Sequence, residues 1–263
     1  MPNAKKPIIG NFCWVEANVD NRQKAKGFYG ELFGWKAEDV KYPAADYTLL
    51  EKGDDQVAGI FELEDEAKQQ GVRPYWLNYV AVEEIGHATK KAEALGAHVV
   101  KAPFEAGPGK MSIVVDPTGA ALALWESTNP TRTFVWREPN TMCWQELTTT
   151  DPGAAARFYV DMFGWTAEVV PMGDFDYMLL YNQGQMIAGL MPQPKAMVDA
   201  KAPSFWTTYF EVADCDEAVN RAKKLGADVV HPPTDIPNIG RFAILKDPEG
   251  AGFAIIKNAP RPG

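Results

Sequence analysis

Residues 13–35, CWVEANVDNRQKAKGFYGELFGW, and residues 143–165, CWQELTTTDPGAAARFYVDMFGW, align at an offset of 130 with nine of 23 pairs identical. Within the first, Ala25, Phe28, Tyr29, Leu32 and Phe33 fall at i, i+3, i+4, i+7 and i+8, one apolar stripe of an amphipathic helix. Ala155, Phe158, Tyr159, Met162 and Phe163 repeat it. Asn21 and Asp151 stand where an N-cap belongs, Pro152 suits a first helical position, and Gly34 and Gly164 suit a left-handed stop.

Working outward, the same offset joins Tyr47-Thr48-Leu49-Leu50 to Tyr177-Met178-Leu179-Leu180, Val57-Ala58-Gly59-Ile60 to Ile187-Ala188-Gly189-Leu190, and Leu95-Gly96-Ala97 to Leu225-Gly226-Ala227. One inserted residue near 235 shifts it to 131, which joins Asp116-Pro117-Thr118-Gly119 to Asp247-Pro248-Glu249-Gly250. The chain is therefore a tandem duplication, with domains expected over 8–126 and 139–258 and a linker over 127–138. Second helices are predicted over 84–95 and 214–225. Short alternating runs such as 46–51, 55–62, 75–82, 111–115 and 120–126 predict strands, and Asp-Pro-x-Gly predicts a tight hairpin. Each domain reads βαβββ twice, so the expectation is α+β, with sixteen strands, four helices and mixed sheets covered by helices on one face.

The 263 residues are 46% apolar and 23% charged, an ordinary globular composition with a net charge of −9 shared between the halves. That balance argues against nucleic acid or an anionic membrane as a partner. No apolar run reaches a membrane span, and the first residues lack a signal peptide's apolar stretch, so a cytoplasmic protein is expected. Cys13, Cys143 and Cys215 are odd in number and widely spaced, which predicts buried free thiols.

The Phe-Tyr helix, the Phe-Gly-Trp that follows it, the Leu-Gly-Ala and the Asp-Pro-x-Gly hairpin resemble the vicinal oxygen chelate superfamily of glyoxalases, bleomycin-resistance proteins and extradiol dioxygenases. The resemblance covers almost the whole chain and is strongest to tandem-domain bacterial glyoxalase-like proteins. It implies that paired βαβββ units form U-shaped cups, which in metal-dependent members hold an ion by histidines and a glutamate. Alignment on the shared motifs puts Trp14 and Trp144 at the first histidine, Leu77 and Thr207 at the second, and Ala123 and Ala254 at the glutamate. None of the six is a histidine or a carboxylate, and indole, alkyl and methyl groups have no lone pair to give a divalent cation, so no metal and no cofactor is expected. The three histidines, His87, His98 and His231, are expected away from the cups.

Strand alternation then selects the side chains facing each cup. They are Trp14, Glu16, Asn18 and Tyr79 in the first, and Trp144, Glu146, Thr148, Thr207, Tyr209 and Glu211 in the second. A carboxylate two residues from a tryptophan, present in both copies, makes Glu146 and Glu16 candidate acid-base groups. The bland alternative is that they pair with Arg241 and Lys110 or with backbone. The other eight are candidate ligand contacts, since aromatic walls with a few polar groups suit small molecules. Two functions stay open: a binder of a small aromatic or cationic molecule, or an enzyme of lyase, isomerase, hydrolase or dioxygenase type. The second would use Glu146 or Glu16 as acid-base, or a metal held by a set not inherited from the family. A monomer or homodimer is expected. Gly107-Pro108-Gly109-Lys110 lacks phosphate-loop spacing and predicts a turn; the acidic run 62–66 predicts a solvated loop.

Overall fold

The computed structural model describes residues 7–42, 45–128 and 135–260. The first repeat runs β1 (Phe12–Val19), α1 (Arg22–Phe33), β2 (Lys36–Tyr42), β3 (Ala45–Lys52), β4 (Asp55–Glu62), α2 (Asp65–Gln69), β5 (Tyr75–Ala81), α3 (Ile85–Ala94), β6 (His98–Glu105), β7 (Gly109–Val115) and β8 (Ala121–Ser127). The second runs β9 (Met142–Thr149), α4 (Pro152–Phe163), β10 (Thr166–Pro171), β11 (Asp176–Asn182), β12 (Gln185–Pro192), α5 (Lys195–Asp199), β13 (Phe205–Glu211), α6 (Cys215–Lys224), β14 (Asp228–Ile236), β15 (Gly240–Lys246) and β16 (Gly252–Asn258). They form two eight-stranded mixed sheets of order β2-β3-β4-β1-β5-β8-β7-β6 and β10-β11-β12-β9-β13-β16-β15-β14. This is the tandem α+β architecture that the patterns predict.

The caps behave as read. The Asn21 side chain accepts from the Lys24 N–H, Asp151 accepts from Ala154, and Gly34 and Gly164 close their helices at φ 74° and 73°. Glu84 and Asp214 cap α3 and α6 rather than belonging to them. Six helices are described, not four: α2 and α5 are five-residue helices that bury no side chain, so they carry no apolar stripe to betray them. The acidic run is a loop only at Leu63 and Glu64. Glu62 ends β4, and Asp65 and Glu66 lie in the first turn of α2, where carboxylates suit the helix dipole. All three cysteines are buried and free.

The chain divides into two compact units that cut across the repeats. Unit 1 holds 7–14, 77–128 and 144–207; unit 2 holds 15–42, 45–76, 135–143 and 208–260. Each unit thus joins one βαβββ module from each repeat. In unit 2 the apolar stripe of α1 packs on the later module: Phe33 meets Phe210 at 5.1 Å between ring centroids, and Tyr29 meets Phe253 at 5.9 Å. In unit 1 Trp165 and Trp206 pack on Phe12 at 5.7 and 5.2 Å. Of the two Phe-Gly-Trp segments, Phe33, Trp35 and Trp165 are buried. The Trp35 indole donates to the Asn140 carbonyl and the Trp165 indole to the Gly10 carbonyl, each at 2.8 Å.

A buried polar relay repeats in each unit. The Trp76 indole donates to the Tyr29 hydroxyl at 3.0 Å, and Tyr29 donates to Asp247 Oδ2 at 2.8 Å. The Trp206 indole donates to Tyr159, and Tyr159 donates to Asp116 Oδ2, both at 2.8 Å. Each aspartate also organises its Asp-Pro-x-Gly hairpin: Asp116 Oδ1 accepts from the Thr118 and Ala120 N–H groups, and Asp247 Oδ1 from those of Glu249 and Ala251. Burial raises the Asp247 carboxyl above its ordinary range, against the lowering effect of its hydrogen bonds. The folded state therefore binds the proton more tightly than the unfolded chain. The stability linked to that proton is present below the ordinary aspartate value of about 3.9 and is lost as pH rises through the elevated one. Asp247→Asn cannot ionise there. Urea unfolding at pH 4 and pH 7 is expected to show its stability relative to wild type improving as pH rises; a constant difference would contradict the assignment.

Candidate functional site

On β9, Gln145 and Leu147 are buried, and Trp144, Glu146 and Thr148 stand at the alternate positions, which point to the other face of the strand. The parallel partner of Glu146 on β12 is Gly189. A Cβ at Gly189 would collide with the ring and hydroxyl of Tyr177, from β11, so glycine is what lets that phenol lie flat on the strand. From there the Tyr177 hydroxyl donates to Glu146 Oε2 at 2.8 Å and accepts from the Trp144 indole N–H at 3.2 Å. Burial, followed by the charge of Glu146, pushes the Tyr177 phenol above its usual range. It therefore stays protonated and acts as a fixed donor to the carboxylate. Trp144, Glu146 and Tyr177 are all half-buried, whereas Thr148 is buried. All four belong to unit 1.

The first repeat holds the same frame in unit 2. Glu16 pairs with Gly59 in register, and a Cβ at Gly59 would collide with Tyr47. Its carboxylate is more enclosed: Glu16 is 5% exposed, and the Asn18 side-chain amide donates to Glu16 Oε1 at 3.1 Å. Tyr75 feels that charge. Its phenol is pushed to about 12, first by burial and then by Glu16.

Tyr47 and Tyr177 are the residues that strand alternation on the first strands does not reach. The signal for them lies in the duplication itself, which repeats a Tyr and a Gly at matching positions of neighbouring strands. Neither carboxylate is held by the cation suggested for it as a bland partner. Arg241 engages Asp216 and Asp235, and Lys110 lies near Glu105 and Glu126.

The remaining candidates are placed as follows. Trp14 is half-buried on β1. The Tyr79 hydroxyl donates to Met111 Sδ at 3.8 Å, and its ring meets Trp125 edge-on at 6.0 Å, all within unit 1. Thr207 is buried at the end of unit 1. Tyr209 and Glu211 belong to unit 2. There the Tyr209 ring lies 6.4 Å from Phe242, and the His231 ring stacks on Phe242 at 5.1 Å. His87 lies on α3 and His98 starts β6, as expected.

A model of the Glyoxalase/Bleomycin resistance protein/Dioxygenase superfamily matches residues 12–124 and 138–255. The chain belongs to this superfamily. Among its relatives, "Putative glyoxylase CFP32" of Mycobacterium tuberculosis is 33% identical over 265 residues, covering 99% of this chain and all of the relative. "Anthracycline biosynthesis protein DnrV" of Streptomyces peucetius is 30% identical over 257 residues, 93% of this chain and 92% of the relative. Among solved structures, the Mn(II)-bound glyoxalase from Novosphingobium aromaticivorans superposes with a TM-score of 0.64 at 16% identity, covering 95% of this chain and 82% of that one. That likeness is of fold alone.

The Mn(II)-bound member raises the question of whether these residues fit such an ion. The six positions that the resemblance sets against the superfamily's metal ligands carry Trp14, Leu77, Ala123, Trp144, Thr207 and Ala254. Leu77, Ala123 and Ala254 are fully buried hydrocarbon, and the nitrogen of Trp144 spends its hydrogen on Tyr177. Among the described residues no three His, Cys, Asp or Glu side chains gather as a metal-binding group. This donor set does not fit a divalent cation. No helix among the described residues is long and apolar enough to cross a membrane.

Proposed function

We propose that the chain binds a small aromatic or cationic molecule on the inner face of its second repeat, with Trp144 as a stacking wall and Glu146 as the acceptor for a ligand N–H or O–H. The observation that carries this is the Trp144–Tyr177–Glu146 set. A half-buried carboxylate is held in one orientation by a phenol that stays neutral, beside an indole that is itself half-buried. Preorganised polar groups beside an aromatic wall are how small-molecule sites secure orientation and affinity. The relatives named for anthracycline biosynthesis, a polycyclic aromatic chemistry, lend weight to a flat hydroxylated ligand.

Titration with 1,4-dihydroxyanthraquinone, followed by quenching of tryptophan fluorescence, tests this reading. Saturable binding is expected, weakened at least about tenfold by Trp144→Ala and by Glu146→Gln, since each removes a buried aromatic contact or a charged acceptor. Gly189→Ala is expected to weaken it similarly, because the added methyl group drives Tyr177 off Glu146. Binding that none of the three changes would refute the site.

A further inference from the structure

A polar network of the first repeat is replaced as a set in the second. In the first, Arg22 and Lys26 of α1 reach the sheet beside them. Lys26 Nζ lies 2.8 Å from Asp39 Oδ2, Thr48 donates to Asp39 Oδ1 at 2.6 Å, and Arg22 lies 3.9 Å from both Asp39 and Glu62. At the offset of 130, Arg22, Lys26, Asp39, Thr48 and Glu62 become Pro152, Ala156, Val169, Met178 and Pro192. Val169 and Met178 are direct cross-strand partners on β10 and β11, so they share one face, and Val169 is left 51% exposed. Met172, just past the strand, is 47% exposed. The first repeat folds with charges at these positions, so the fold does not require the apolar set, which leaves a patch facing water.

The strand that carries Val169 is also the outermost of its sheet. Its counterpart β2 guards the same edge with Lys36, Glu38, Asp39 and Lys41. In β10 the one charged residue is Glu168, and Tyr181 donates to its carboxylate at 2.9 Å. Pro171 stands at the last position of β10 and leaves residues 166–170 able to pair.

We infer that β10 and its apolar patch form a two-fold interface on which a second copy of this chain docks. An extended edge needs an extended partner, and a second β10 brings the same apolar side chains with it. Antiparallel pairing centred on Val169 sets Val169 against its own mate and Glu168 against Val170, so the two carboxylates do not face each other. It also keeps Asp174 and Asp176, at the acidic end of each β10–β11 hairpin, at opposite ends of the paired strands, whereas parallel pairing would bring them together. A chain of net charge −9 meets itself most readily where its surface carries least charge.

Sedimentation velocity of the full-length chain is expected to show a monomer at about 1 μM and a dimer at about 200 μM, as suits a small interface. Val169→Asp restores the first repeat's residue at an exposed position, and is expected to be monomeric at both concentrations with an unchanged circular dichroism spectrum. In this pairing the two copies of residue 169 have Cα atoms about 4.5–5.5 Å apart, within disulfide reach. Val169→Cys is therefore expected to give a disulfide-linked dimer on oxidation with diamide, while Asp39→Cys, its counterpart in the first repeat, stays monomeric. The three native thiols are buried.

A wild type that stays monomeric at about 200 μM would overturn the inference, and is the result expected if a different protein covers the patch. A dimer that Val169→Asp leaves intact would place the interface elsewhere and overturn it too. Equal cross-linking of the two cysteine variants, the mark of random collision, would do the same.

Discussion

Divided at the linker, residues 7–128 and 135–260 are expected to yield no folded monomeric fragment. In the intact chain the helix stripe of the first repeat is covered in unit 2 by the last module of the second, through Phe33 on Phe210 and Tyr29 on Phe253. In unit 1 Tyr159 of the second repeat reaches Asp116 of the first, and Phe12 receives Trp165 and Trp206. A monomeric fragment leaves its share of these aromatic faces in water. Losing the burial of one large aromatic side chain costs about 3–5 kcal/mol, and several are lost together, against a typical domain stability of about 5–15 kcal/mol. Each fragment alone should therefore sediment as a self-associated or unfolded species, and mixing the two should restore the far-ultraviolet and tryptophan signals of the whole chain. A fragment that is monomeric, folded and cooperative in urea would show that the repeats, rather than the recombined units, are the folding entities.

Asp116→Ala is expected to destabilise the protein by about 3–5 kcal/mol, the range for breaking a buried, fully hydrogen-bonded polar cluster. One substitution removes the acceptor of the Tyr159 hydroxyl at 2.8 Å and those of the Thr118 and Ala120 amides at 2.7 and 3.0 Å. The phenol is then left in the aromatic core with a hydrogen and no acceptor, and the Asp-Pro-x-Gly turn loses the carboxylate that shapes it. Tyr159→Phe removes the phenol instead and spares the turn, so its cost should be smaller, about 1–3 kcal/mol. Urea unfolding of both variants measures the order. Equal losses would mean that the turn contributes nothing, and losses near zero would mean that the relay is not formed.

Much of this fold is legible in the amino-acid order because its signals are local. Asn21, Asp151, Gly34 and Gly164 mark helix ends by backbone chemistry that needs no tertiary context, and Asp-Pro-x-Gly marks its hairpins in the same way. The two five-residue helices escape because neither buries a side chain, leaving no periodicity to detect. The recombination of modules escapes for a deeper reason. The helix stripes of the two repeats carry nearly the same residues, so the pattern shows that each must be covered but not by which copy.

The candidate site divides in the same way. Alternation along β9 suffices to pick out Trp144, Glu146 and Thr148. Tyr177 stays hidden because its reach depends on a side chain that is missing on the adjacent strand, at Gly189. Arg241 looks like a partner for Glu146 by charge alone, but Asp216 and Asp235 bracket its guanidinium at 2.6 and 3.1 Å.

The account stands on indole, hydroxyl and hydrocarbon at the positions that the resemblance sets against this superfamily's metal ligands. The most direct measurement is the metal content of the full-length protein, purified without chelator from cells grown with manganese, iron, nickel and zinc, by inductively coupled plasma mass spectrometry. Far less than one transition-metal ion per chain is the predicted result. One tightly held ion per chain, lost together with 1,4-dihydroxyanthraquinone binding on dialysis against a chelator, would contradict it.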